Sequence, residues 1–382
     1  MKQIKIIFFL LLTISPGVSV LRAQGIDPYL PDNTTPPVIA GKTLVWNDDF
    51  NVDGKPNSSN WKSETGFVRN QELQYYQSAN VNCVGGVCVF TGKRDTVLNA
   101  KYVSGSSDWR YSQQYAYWTS GSIITQGLKS FQYGQFEIRA RIDTTVGSWP
   151  AIWQKGVSGS WPNCGETDIM EFYISGGAKT ILANVAWGSA SAPTVGTWNT
   201  KKTALSTFLA KDADWCKKFH VWKERWNKDS LKIYLDDQLL NTQLLANTTN
   251  ATGISPVNPY FQPHYFILNQ AIGVNGGKPR AKTSAYKYEV DYVRVYQDNT
   301  TDNNDIKTET IGIYPNPVSE VLNIVSDNKL LNLTIIDMVG NQLVNQNYPA
   351  KQVSLSSLRD GIYIARIITA DGAVLLKNII KK

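Results

Sequence analysis

Runs in which apolar and polar residues alternate recur through most of this chain, and they leave little freedom of fold. Gln135-Phe136-Glu137-Ile138-Arg139-Ala140-Arg141, Leu231-Lys232-Ile233-Tyr234-Leu235 and Tyr288-Glu289-Val290-Asp291-Tyr292-Val293-Arg294-Val295-Tyr296 all have period two. Successive side chains of a strand point to opposite faces, so such runs build sheets with one apolar face. Many short runs divided by turn residues predict an all-β sandwich over residues 43–297. Asp236-Asp237, just after Leu235, is a hairpin signal. Leu205 to Lys218 is the single stretch that reads as helix. Residues 298–310 are polar and read as a linker. Residues 311–382 return to short strands, Val321–Val325 and Gly361–Ile367 among them, and predict a small C-terminal β-sandwich domain.

The N-terminus carries Lys2 and Lys5, an apolar run from Ile6 to Ile14, then Ala23-Gln24. This predicts a signal peptide at 1–23, followed by an N-terminal extension at 24–42. The apolar run is too short to span a membrane as a helix. No Cys follows it, so a lipoprotein anchor is not indicated. The net charge of +7 is spread out, with no basic stripe to suggest nucleic acid. His220 and His264 are the only histidines, which argues against a multi-histidine zinc site or a His relay. A monomer is expected. An exported chain can keep disulfides. Gly85-Gly86 suits a two-residue hairpin turn that sets Cys83 opposite Cys88, close enough for the disulfide expected there. For Cys164 and Cys216, a bridge and free thiols both stand open.

Glu166-Thr167-Asp168-Ile169-Met170-Glu171 places three carboxylates in a stretch that otherwise reads as buried strand. On a regular strand Glu166 and Asp168 share one face, Met170 lies beside them, and Glu171 points away. One extra residue, a β-bulge near Ile169 or Met170, returns Glu171 to the face of Glu166. Two carboxyl groups facing one cleft are the apparatus of glycoside hydrolysis: with retention at about 5–5.5 Å, with inversion at wider spacing. The competing reading is a solvated acidic turn.

The neighbours weigh against that turn. Ser148-Trp149-Pro150-Ala151-Ile152-Trp153 and Trp161-Pro162-Asn163-Cys164-Gly165 flank the hexad. Asn70-Gln71-Glu72-Leu73-Gln74-Tyr75-Tyr76 stands upstream; Phe219 to Trp226, Phe266 to Gly273 and Val290 to Tyr296 follow downstream. As an ordered set over residues 43–297 they resemble glycoside hydrolase family 16, its laminarinase-like β-glucanase branch above all. The resemblance implies a jelly-roll β-sandwich with a long concave cleft, a polysaccharide substrate and a retaining endo-mechanism. It places the nucleophile at Glu166, the assisting carboxyl at Asp168 and the acid/base at Glu171. It implies substrate contacts from Asn70, Trp149 and Trp153, with Trp187 a weaker candidate; a core role is the alternative for these tryptophans. Trp222, Trp226 and His220 read as structural. The loop from Trp109 to Trp118 reads equally as a sugar-binding wall and as a packed loop.

No cofactor is required by this chemistry. The resemblance adds a structural calcium on the convex face, with Asp291 as the nominated ligand and a plain surface Asp as the alternative. Three positions depart from the laminarinase pattern. Gln71 replaces a second Asn, Ser122 an Arg of the glycone side, and Ala186 a His of the leaving-group side. They spare the carboxylates and leave the substrate open between β-1,3- or mixed-linkage glucan and an algal galactan. A non-catalytic glycan-binding protein is the reading of another class, disfavoured because both Glu166 and Glu171 are present. The tail resembles the type A sorting domain of the type IX secretion system, through Ile313-Tyr314-Pro315-Asn316-Pro317-Val318, Asp337-Met338-Val339-Gly340 and Leu358 to Tyr363. That implies passage through outer-membrane secretion machinery to the surface or medium; a carbohydrate-binding sandwich is the alternative.

Overall fold

The computed structural model describes residues 26–281, 283, 285–299, 312–326, 329–338, 341–347, 349–369 and 374–382. The expected signal peptide and nearly all of the expected linker lie outside these residues. The chain divides into two units, with the boundary between Asp298 and Asn299.

The first unit is two antiparallel sheets packed face to face. One sheet has the strand order Gln238–Leu244, Ser230–Leu235, His220–Trp226, Gly134–Arg141, Ala285–Asp298, Val87–Leu98, Tyr115–Ser120 and Tyr75–Tyr76. Lys42–Asp48 adds to Ala285–Asp298, and Val81–Val84 to Val87–Leu98. Only the pairing of Tyr75–Tyr76 with Tyr115–Ser120 is parallel. The second sheet runs Gly196–Ala204, Ala178–Gly188, Glu166–Ser175, Ser148–Gly156, His264–Ile272, Ser122–Ile124 and Lys62–Ser63. The period-two residues supply the layer between them. Phe136, Ile138, Trp222, Val293 and Val295 come from the first sheet; Ile152, Ile169, Phe172, Val185 and Leu268 from the second. Phe136 meets Phe266 edge-on across the gap, with ring centroids 5.8 Å apart. Trp222 and Trp226 are buried in this layer, and both ring nitrogens of His220 have partners in Asp236 and the Trp215 carbonyl.

Local chemistry explains the turns. Asp236 and Asp237 sit at φ 47° and 65°, the two left-handed residues of a hairpin turn whose twist suits the flanking strands. The stretch that read as one helix is two short pieces, Leu205–Leu209 and Trp215–Lys217. Asp212 separates them, accepting the Asp214 amide and the Lys218 ammonium, while Trp215 stacks on Phe208 at 5.1 Å. In the segment from Trp109 to Trp118, Asp108 caps the single turn Trp109–Ser112 and Trp109 packs on Phe67 at 5.8 Å, while Tyr115 and Tyr117 stand exposed on the strand that follows.

Cys83 pairs in register with Cys88 around the Gly85-Gly86 turn, as the spacing required. The structure nevertheless holds both as free thiols, not as the expected disulfide. Cys164 and Cys216 are also free. The second unit is a small sandwich. Gly312–Tyr314, Val321–Val325 and Gln352–Ser354 form one sheet. Gln342–Asn347, Leu330–Asp337, Gly361–Thr369 and Val374–Lys381 form the other. Its own core includes Leu322, Ile324, Val353, Leu333, Ile335 and Ile367.

Candidate active site

The three carboxylates reach one face through a bulge. Glu166, Thr167 and Asp168 pair with Lys155, Gln154 and Trp153; the register then slips, so that Met170 faces Ile152 and Glu171 faces Ala151. The same slip occurs against Ala178–Gly188, where Asp168 faces Asn184 and Glu171 faces Leu182. Ile169 and Met170 turn into the core, completely buried. Glu166, Asp168 and Glu171 therefore line one cleft of about 790 Å³ on the outer face of the second sheet. From beneath, the Tyr260 hydroxyl lies 2.7 Å and 2.8 Å from the carbonyl oxygens of Glu166 and Ala186, fixing the entry to the bulge.

Hydrogen bonds hold the carboxyl groups in place. Trp149 Nε1 donates to Glu171 Oε1 at 3.0 Å. Asn184 Nδ2 donates to Asp168 Oδ2 at 2.9 Å and to Glu171 Oε2 at 2.8 Å, bridging the two. Bridged in this way, Asp168 and Glu171 lie close enough to influence each other's protonation, and the Trp161 indole favours ionised Glu166. Burial raises all three acids above the ordinary carboxyl range, and mutual repulsion adds to it for Glu166 and Asp168. Glu166 is pushed up to about 7, with Lys155 and Arg69 opposing the rise. The raised acids favour retention of a proton in the cluster, and Asn184 holds Asp168 and Glu171 together around it.

The walls extend from this centre. Trp149 and Trp153 both line the cleft, Trp153 anchored by its Nε1 to Asn269 Oδ1 at 2.7 Å. Asn70 lines it too, from a left-handed turn at φ 57°, with Gln71 beside it at φ 51°. Asn tolerates that region better than Gln, so the Gln71 departure carries some backbone strain. Ser122 donates to Glu64 Oε2 at 2.6 Å, and Glu64 is paired with Arg69, whose guanidinium lies 5.2 Å from the Trp153 ring and lines the cleft. An arginine thus borders the site from the loop before Asn70, and Ser122 braces the carboxylate that holds it.

Two site expectations need correction. Trp187 is not on the cleft: its neighbour Ala186 pairs with Glu166 and shares its face, so Trp187 points inward and packs on the core. The aromatic surface there comes from Trp198, which faces Ala186 from the next strand, and from Trp161. Both are 44% exposed, with rings 6.4 Å apart. The alternation Trp198, Thr200, Lys202 was visible in the sequence, but only the register shows it faces the cleft.

Asp291 is neither a surface residue nor a fit for calcium. It is buried, and its carboxylate accepts Arg139 Nη1 at 2.5 Å and the Asp32 amide at 3.1 Å. Calcium takes six to eight oxygen ligands. Here the nearby carboxylates of Asp32 and Asp49 are taken up by Arg294, at 3.1 Å and 2.9 Å. Among the described residues, no cluster of three or more His, Cys, Asp or Glu offers another metal cage.

Two face-to-face sheets, with an acid cluster and exposed indoles along one outer face, define a glycoside hydrolase. Residues 78–294 match the Glycosyl hydrolases family 16 pattern, and the chain belongs to that family. Residues 312–382 match the Secretion system C-terminal sorting domain. The chain is 31% identical over 285 residues to Glucan endo-1,3-beta-glucosidase A1 of Niallia circulans, covering 69% of this chain but 39% of that protein. It is 30% identical to Beta-glucanase of Rhodothermus marinus, covering 66% of this chain and 85% of that one. Among solved structures it is similar to one described as an endo-acting O-glycanase expressed by prominent members of the human gut microbiota to initiate mucin breakdown. That match has TM-score 0.62 and 30% identity, covering 69% of this chain and 94% of the other.

Proposed function

We propose that this chain is a secreted, retaining endo-β-glycanase that cleaves internal bonds of β-1,3- or mixed-linkage β-1,3/1,4-glucan. The bulge that returns Glu171 to the face of Glu166 carries the reading. Ionised Glu166 attacks the anomeric carbon, forming the glycosyl ester as the glycosidic C–O bond breaks. The leaving oxygen takes the proton held between Glu171 and Asp168. Glu171, now a base, removes a proton from water, which attacks the same carbon and frees Glu166. Two displacements restore the starting configuration. Asp168 and Asn184 keep the proton near Glu171, and no cofactor enters. The names of the Niallia and Rhodothermus relatives support the glucan. The sorting-domain match supports secretion, and we assign its route to the signal peptide followed by type IX export.

A second substrate reading, a β-galactan or O-glycan chain, is favoured by Ser122 and Ala186 and by the O-glycanase structure. Reducing-sugar release and product sizing on laminarin, barley glucan, agarose, porphyran, carrageenan and mucin glycans separates the two. Short oligosaccharides from laminarin or barley glucan support the first; release only from a galactan or mucin replaces it; release from none defeats the hydrolase.

Trp198 lies two strands from Glu166 in the same row, roughly 10 Å away at the usual strand spacing. An apolar sugar face stacking there is worth about 1 kcal/mol. Trp198→Ala is therefore expected to raise KM on polymer roughly fivefold, and to shift product sizes with little change in kcat.

A further inference from the structure

Lys155 stands directly opposite Glu166 in the pairing of Ser148–Gly156 with Glu166–Ser175. It is the one half-buried residue of a strand whose other members are buried, and it lines the cleft. Directly opposed side chains on one face have Cβ atoms about 4.5–5.5 Å apart, within easy range of a four-carbon stem. Lys155 takes part in no ion pair found among the described residues. The carboxylate it faces is the nucleophile.

We propose that Lys155 is a positioning residue for the double displacement, keeping Glu166 ionised and aimed before each attack. This rests on the retaining reading above. The need for such a group follows from the surroundings. Glu166 shares its strand face with Asp168 and Glu171, both acids. Across the other pairing stands Ala186, which brings no charge. From the loops come the Trp161 indole and Arg69, and Arg69 is already committed to Glu64. Further along the row lies Tyr265, paired with Lys155, and Glu72, which also lines the cleft, opposes a charge on Glu171. Burial disfavours the ionised nucleophile, and Lys155 is the first of the two cations that oppose it. In the first step an electron pair of Glu166 becomes the new C–O bond, and the leaving oxygen takes the acid proton. The ammonium then loses its counter-charge, which favours the anionic form of Glu171 that must next act as base.

The test is the pH profile of kcat/KM for the wild type, Lys155→Met and Lys155→Arg, on whichever polysaccharide the wild type cleaves. The acidic limb reports ionisation of the free nucleophile. The Met variant is expected to move that limb up by about one pH unit, with a roughly tenfold loss below it and little loss above. The Arg variant is expected to restore the wild-type limb. An unmoved limb in the Met variant, or an Arg variant displaced as far as Met, overturns the proposal. If the Met variant fails to fold, Lys155→Gln gives the same reading. A wild type that cleaves no polysaccharide defeats the hydrolase assignment, whereas an active wild type with an unmoved limb defeats only the role of Lys155.

Discussion

Glu166→Gln is expected to abolish hydrolysis, by about 10⁴-fold or more in kcat, while the folded cleft still binds oligosaccharide. The amide keeps the size and shape of the carboxylate but cannot form the ester. Glu171→Gln is expected to lose polymer hydrolysis as severely, yet to keep reacting with an aryl glycoside whose leaving group needs no proton. Asp168→Asn keeps the Asn184 contact and loses only the shared proton, so a smaller loss of about 10–100-fold is expected. Stability gives an independent readout. Each of the three acids has a folded pKa above its unfolded value, 4.5 for Glu166 and Glu171 and 3.8 for Asp168, so its contribution to the fold is fully present below that value and is lost as pH rises through its folded pKa. Glu166→Gln removes one such loss. Its melting temperature is expected to exceed the wild type's at pH 8, and the gap to close near pH 4. Calorimetry at the two pH values checks this. An active Glu166→Gln variant, or one no more stable than wild type at pH 8, sinks the assignment.

The bulge is legible in the sequence because period two is unforgiving. Glu166 and Glu171 are an odd number of residues apart, so a shared face demanded an extra residue, and the core took Ile169 and Met170. The Asp236-Asp237 turn was legible for a similar reason, since its backbone chemistry is local. What failed required knowledge of register. Trp187 and Trp198 are both tryptophans in alternating stretches, and nothing local says which meets the face of Glu166; the pairing Glu166–Ala186–Trp198 does. Asn184 has no local signal, because its role lies in bridging two acids that only the bulge brings together. The helix from Leu205 to Lys218 failed because Asp212 drew backbone and side-chain donors to itself midway. Asp291 was misplaced because its partners, Asp32 and Arg139, lie far away in sequence.

That last pairing carries the second large expected effect. Arg139→Met is expected to destabilise the first unit by about 3–5 kcal/mol, because it strips the counter-charge from a buried carboxylate. For a domain of this size that amounts to a fall in melting temperature of roughly 10 °C. Arg139 does more than pair with Asp291. Its Nη1 reaches the Leu30 carbonyl at 2.9 Å, its Nη2 the Asp27 carbonyl at 2.8 Å, and its guanidinium lies 4.8 Å from the Phe219 ring. Arg294 completes the clamp, holding Asp32 and Asp49 with its guanidinium 3.6 Å from the Tyr292 ring. The segment from Asp27 to Asp32 is thus tied to the outer face of the first sheet by arginines, where calcium had been expected. A chelator is therefore expected to leave the melting temperature of the wild type unchanged, and added calcium to leave it unchanged as well. The double variant Arg139→Met with Asp291→Leu removes both charges at once, and should lie closer to wild type than the single change. Melting curves of these three proteins, with and without chelator, decide the matter. A double variant less stable than Arg139→Met would assign the loss to packing instead of charge, and a chelator-induced fall that calcium reverses would restore the metal.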